Sequence, residues 1–178
     1  MRARKVKGLD AAGTLADNAE RIVRVRLDEL TSFMPKAADP DEVVALHDMR
    51  IAAKRLRYVL EVTGSCFGPY AETAVKHVKD LQDLLGEIHD CDVQLPEVAA
   101  FLEELVQEDV EAAGAEPRGL AKAPNRRTYA GLVALRVHLQ ARRRALFADF
   151  VEQWRDLERK GFAARLAFAL SERSHSSV

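Results

Sequence analysis

Apolar residues return every three or four positions along most of this 178-residue chain, and that period points to helices. From Asp10 to Met34, Leu15, Ala19, Ile22, Val23, Leu27, Leu30 and Phe33 keep the period, and Pro35 ends it. Arg26 falls among those apolar positions and reads as a snorkelling edge residue. Asp39 is placed to cap the next helix, Pro40 suits its first position, and Asp41 and Glu42 add negative charge to its first turn. That helix runs to about Thr63, with Gly64 suited to the position just past its end. Gly68-Pro69 opens a third helix over 69–88, with Ala71, Ala74, Val75, Val78, Leu81, Leu85 and Ile88 inward. Gly86 to Val93 reads as a corner. Asp90 and Asp92 would cap a fourth helix there, with Pro96 in its first turn and its end near Ala112. Residues 113–126, with two Pro, two Gly and no period, form a linker. A long helix follows over 127–158, Gly161 breaks it, and Phe162 to Leu170 form a short closing helix. The pattern predicts an all-α antiparallel bundle of four to five long helices. It forms a single domain over 10–171, with flexible tails at 1–9 and 172–178.

The chemistry concentrates in Leu46 to Val62, LHDMRIAAKRLRYVLEV. His47, Arg50, Lys54 and Arg57 are spaced at three, four and three residues. At roughly 100° per residue they fall in one stripe about 80° wide. Tyr58 lies beside it, Arg55 points further round, and Met49, Ala53, Leu56 and Leu60 form a neighbouring apolar stripe. Amphipathic helices often carry Lys and Arg on a solvated face, which is the simplest account. Three features argue for more. Only Asp48 and Glu61 interrupt four cations, a histidine lies within the stripe, and the stripe abuts the core edge, where long stems pack while their heads converge. Convergent cations call for an anion, and the planar guanidinium fork suits phosphate oxygens. His47 would bind such an anion better as an imidazolium, and Tyr58 would add a hydroxyl.

Arg136 and Arg143 lie seven residues apart on the face that also holds Leu132, Leu135, Leu139, Leu146, Phe150 and Trp154. Inward arginines need carboxylates or a wet cavity. Packing this helix on the 46–62 helix would bring both arginines to the basic stripe.

Net charge is −1, with 27 Lys and Arg against 28 Asp and Glu. That weighs against a nucleic-acid coat protein, and aromatic platforms for bases are absent from the pattern. The two cysteines, Cys66 and Cys91, are too few for a disulfide framework and suit a reduced, cytoplasmic setting. No apolar run reaches the roughly 20 residues of a membrane span, and the basic start MRARKVKGL has no apolar stretch behind it to make a signal peptide.

The LHDMRIAAKRLRYVLE stretch followed by LQDLLGEIHDCDV resembles the CHAD domain, the conserved histidine α-helical domain. The shared pattern is a histidine, then R-x-x-x-K-R-x-R, then an L-G-x-x-x-D-x-D-V corner. It covers about 10–158 and is strongest over 43–105. The resemblance implies a helical bundle that binds inorganic polyphosphate through basic residues around a central pore. His47 then matches the name-giving histidine. Arg50, Lys54, Arg55 and Arg57 match the basic motif, and Lys76 and Lys79 match basic positions on the following helix. Arg136 and Arg143 match basic residues of the last long helix loosely. Larger members carry two four-helix units, each with its own histidine motif. Here the second motif is missing, so the chain looks like a single half-unit, and a homodimer would restore the other half.

The expected function is therefore binding of polyphosphate, without catalysis, metal or cofactor, in the cytoplasm or on polyphosphate granules. Polyphosphate offers charge and no base to read, so cations spaced along a groove suffice. There is no Gly-rich phosphate loop, nucleophile elbow or HExxH. Asp80, Asp83, Glu87, Asp90 and Asp92 read as caps and solvated face rather than a Mg²⁺ site, and His89 with Asp90 and Asp92 lacks a fourth metal ligand. The alternative is a helical scaffold whose basic stripe docks an acidic protein.

Overall fold

The computed structural model describes residues 2–114 and 123–172. All but Glu172 of the expected tail at 172–178, and most of the expected linker, lie outside these residues. Among the described residues six α-helices follow one another: α1 (Leu15–Thr31), α2 (Met34–Ala37), α3 (Val43–Thr63), α4 (Tyr70–Ala113), α5 (Thr128–Arg159) and α6 (Phe162–Ser171). A 3₁₀ turn, Gly64–Cys66, follows α3. The fold is all-α and bundle-like, with no strand among the described residues.

The starts of α1 and α3 differ from the sequence expectation. α1 begins at Leu15, because Thr14 Oγ1 accepts the backbone N–H of Asp17 at 3.1 Å and donates to the Asp17 carboxylate at 2.8 Å. Asp10 instead closes a turn with Ala12 and Gly13. α3 begins at Val43, since Asp39 accepts from Asp41 N in a turn of its own and caps no helix. Pro35 ends no helix but sits in the first turn of the short α2. Gly64 stays right-handed and leads into the 3₁₀ turn, whereas Gly161, at φ 67°, takes the left-handed conformation that separates α5 from α6.

The expected corner at 86–93 is absent, and α4 runs through it for 44 residues with Pro96 inside. Pro96 removes one backbone hydrogen bond, which argues for a break. Two things outweigh it. The buried row Ala71, Ala74, Val78, Leu81, Leu85, Ile88 and Cys91 continues without a change of period. And α5 splints α4 on both sides of the proline. Asp92 and Glu87, before it, take Arg143 and Arg142. Leu105 O and Asp109, after it, take the hydroxyl of Tyr129. Asp90 and Asp92, expected as caps, are mid-helix residues.

The chain gathers into two compact units. The first comprises the described residues of Met1–Gly86 and Phe147–Val178, and the second is Glu87–Leu146. In the first, α1 packs along α3 and meets α6. Leu30, Met49, Leu56, Leu60, Leu81, Leu85, Phe150, Leu166 and Leu170 are fully buried there. Glu29 is buried among them, 1 % exposed. It accepts Arg4 N at 3.1 Å and Arg55 at 3.2 Å, and it pairs with Arg26. Arg26, expected to snorkel, is thus half of a buried ion pair and also donates to Arg4 O. The same bonds tie Arg4, in the segment expected to be loose, to α1. The second unit is an antiparallel hairpin of the far part of α4 and the near part of α5, closed by the contacts just named and by Asn125 on Asp109 and Glu108.

Candidate anion-binding site

α3 builds the site by having two faces. Ala45, Leu46, Met49, Ala52, Ala53, Leu56 and Leu60 are buried. Along the edge of that face His47, Arg50 and Arg57 are half-buried, while Lys54 and Tyr58 are exposed. Stems therefore pack on the core while cationic heads reach its rim.

The neighbouring wall is the first part of α4. A Cβ on Gly86 would lie 3.6 Å from Arg50 Nε, so Arg50 stands over the one α4 position in this stretch that has no side chain. Seven residues away on each helix, Arg57 and Lys79 feel one another. A hydrogen bond to Asp83 holds the Lys79 ammonium above its ordinary range, and the charge of Arg57 opposes that shift. Seven up one helix matching seven down the other is the register of an antiparallel pair. Gln82 lies between these two points.

Two buried polar atoms along this rim, Arg57 Nε and Gln82 Oε1, have no hydrogen-bond partner among the described residues. Arg57 Nε lies 3.3 Å from Glu61 Oε1, close enough for attraction but misaligned for a hydrogen bond. The Arg57 side chain is 15 % exposed and Glu61 42 %, so water competes for the carboxylate more than for the guanidinium. The Tyr58 ring steadies two of the cations: Arg57 Cζ is 4.8 Å and Lys54 Nζ 5.7 Å from its centroid. Arg50, Lys54 and Lys76 form no ion pair among the described residues.

Arg55, Lys79, Arg136 and Arg143 stand differently. Arg55 is bound to the buried Glu29 and holds α3 to α1. Lys79 is exposed and pairs with Asp83 at 2.8 Å. Arg136 and Arg143 belong to the second unit. Arg143 is neutralised by Asp92. Arg136 was expected to face inward with Leu135, yet both are exposed. Of the described apolar residues in 128–146 Leu139 alone is buried, so the face read as inward is covered only in part.

Gln82 and Glu29 carry weak marks in the sequence. Gln82 shares a helical row with Lys79 and Gly86, three and four residues away, which was a readable sign. Glu29 stands three residues after Arg26, but a lone glutamate in an amphipathic helix is nearly always solvated. Among the acids weighed for a metal, Asp83, Glu87 and Asp92 are engaged by Lys79, Arg142 and Arg143. The described residues hold no group of three potential metal ligands. A cavity of about 470 Å³ lined by Thr31, Trp154, Leu157, Gly161 and Phe162 contains none of the expected site residues. No helix among the described residues is long and apolar enough to cross a membrane.

A rim of cations that stand beside few acids, with one buried guanidinium N–H that has no hydrogen-bond acceptor among the described residues, suits an extended anion. A family model described as CHAD domain matches residues 2–99, which include every one of these rim residues. No curated protein and no solved structure matches the chain.

Proposed function

The chain belongs to the CHAD domain family, and from that premise we propose that it binds inorganic polyphosphate without turning it over. The family is linked in general to polyphosphate binding and generally serves as a non-catalytic binding domain. The observation that carries the reading for this chain is the buried Arg57 Nε, a charged donor with no hydrogen-bonding acceptor among the described residues. Leaving such a donor unmatched is costly, and a phosphate oxygen would satisfy it.

In this reading Arg50, Lys54 and Arg57 track successive phosphates along α3, spread over about 10 Å of helix axis. His47 extends the track at one end. Lys76 and Lys79 supply charge from α4, and Tyr58 holds Lys54 and Arg57 in place. Arg55, Arg136 and Arg143 have carboxylate partners or lie elsewhere, and they contribute long-range charge at most. The working domain spans 10–171, in the cytoplasm where polyphosphate granules form.

Titration with polyphosphate of defined length, at two salt concentrations, tests the proposal. Each charge-assisted contact is worth about 1.5–3 kcal/mol. Arg50→Ala combined with Arg57→Ala should therefore weaken binding by at least about 100-fold. Affinity should fall steeply with salt as counterions are released. Arg159→Ala, at an exposed residue outside the site, should change little. Equal losses from the double variant and this control would mean that the rim is only a solvated face. Displacement of the polyphosphate by any acidic protein at similar charge would favour the scaffold role instead.

A further inference from the structure

The second unit divides its charges between its two helices. Glu87–Ala113 of α4 carries nine acids and no Lys or Arg, whereas the 128–146 part of α5 carries four arginines and no acid. Internal bonds use only part of this charge. Arg142 takes Glu87, Arg143 takes Asp92, and Asp109 takes Tyr129. Arg136 and Arg144 remain exposed, as do Glu97, Glu103 and Glu104, and none of the five forms an ion pair among the described residues. A shallow groove runs along the acidic helix, lined by Ala100, Glu103, Glu104, Gln107, Glu108 and Glu111.

The same unit leaves apolar side chains uncovered. Val106 and Val110 of α4 are 43 % and 51 % exposed, and Val133 and Val137 of α5 are 49 % and 59 % exposed. Each pair stands four residues apart, so each makes a row along its helix. Two helices share one seam, and these rows lie off it.

We propose that the hairpin docks a second copy of itself, the two stacking into a four-helix assembly with the acidic α4 of each copy against the basic α5 of the other. The charges choose this occupant. An acidic partner would suit α5 and be repelled by α4, and a basic partner the reverse. A second copy presents both signs at once, and twofold symmetry makes the two contacts identical. Setting α4 on α4 would oppose like charges, so the arrangement also selects its own register. A hairpin face roughly 35 Å long and 20 Å wide offers on the order of 700 Å² per copy, near the ~800 Å² per partner of stable complexes. The rows of valine provide the apolar centre and the charges the rim. The polyphosphate residues of the proposed function lie in the other unit, so either claim stands without the other.

Light scattering after size exclusion, on the full chain at low and high salt, reads the assembly. A dimer at low salt that dissociates as salt rises is expected. Val133→Asp with Val137→Asp should give a monomer of unchanged helical circular dichroism. Should that variant unfold, charge exchange decides the question. Glu103→Arg with Glu104→Arg makes one variant, and Arg136→Glu with Arg144→Glu the other. Each alone should be monomeric, and their mixture should form a heterodimer. A wild-type chain that stays monomeric at its highest soluble concentration, or two folded charge variants that fail to pair when mixed, would overturn the proposal.

Discussion

The two units use the same helices and the same period, yet they hold themselves together differently. The first buries large side chains from five helices around Met49, Leu56, Phe150 and Leu166. The second buries, among its described apolar residues, only Ile88, Cys91, Leu105 and Leu139, and its cross-links are polar: Arg143 with Asp92, Arg142 with Glu87, Tyr129 with Asp109. Hydrophobic burial scales with covered area, so a two-helix hairpin cannot match a five-helix core. The contrast teaches where each kind of polar group can be afforded. In the first unit a polar atom with no hydrogen-bond partner among the described residues sits at a well-packed rim. In the second the polar groups hold the two helices together.

The largest test removes packing from each unit. Phe150→Ala should lower global stability by about 3–5 kcal/mol in denaturant unfolding. Leu139→Ala, also buried, should do much less to the global transition and mainly speed hydrogen exchange in the hairpin. Equal effects on the global transition would erase the distinction between the units. Next comes Glu29, the buried carboxylate of the first unit among the described residues. Glu29→Ala removes the carboxylate that Arg26 and Arg55 share and should cost about 3 kcal/mol, measured as a drop in melting midpoint. It should leave the hairpin's exchange rates alone.

The smallest effect is a titration. The hydrogen bond to Asp109 is the main cause that pushes the Tyr129 phenol up to about 12, with burial and the charge of Asp109 adding to it. The folded state thus favours the neutral phenol. That contribution is fully present below the ordinary tyrosine range and is lost as pH rises through about 12. Hydrogen exchange in the hairpin, corrected for the intrinsic rate, should accelerate between about pH 10 and 12. Tyr129→Phe should abolish that pH dependence and remove the latest phase of tyrosinate absorbance. A hairpin whose protection is flat across this range would show that the bond contributes nothing.

Much of the first unit was legible in the sequence, because a helix that buries one face announces it in the spacing of Leu, Ala and Val. The basic stripe was legible for the same reason, from Arg50, Lys54 and Arg57 beside Met49, Ala53 and Leu56. What failed depended on partners distant in sequence. Gly86, Asp90, Asp92 and Pro96 spell a corner locally, and only the bonds from Arg142, Arg143 and Tyr129 show why the helix continues. Arg136 looked inward because Leu135 and Leu139 do, but a face is inward only where another helix covers it. Arg55 stands in the motif's spacing, but its bond to Glu29, 26 residues earlier in the chain, has no mark in that spacing.

The cysteines turn the difference between the units into a rate that a chemist can read. Cys66 sits half-buried in the turn after α3, while Cys91 is buried in the hairpin, where burial pushes its thiol up and away from the reactive thiolate. A thiol reagent added to the native protein therefore modifies Cys66 at a pace set by the reagent. It reaches Cys91 only through openings of the hairpin. The molecule carries its own clock and its own reference channel, and the ratio of the two labelling rates times how often the second unit comes apart.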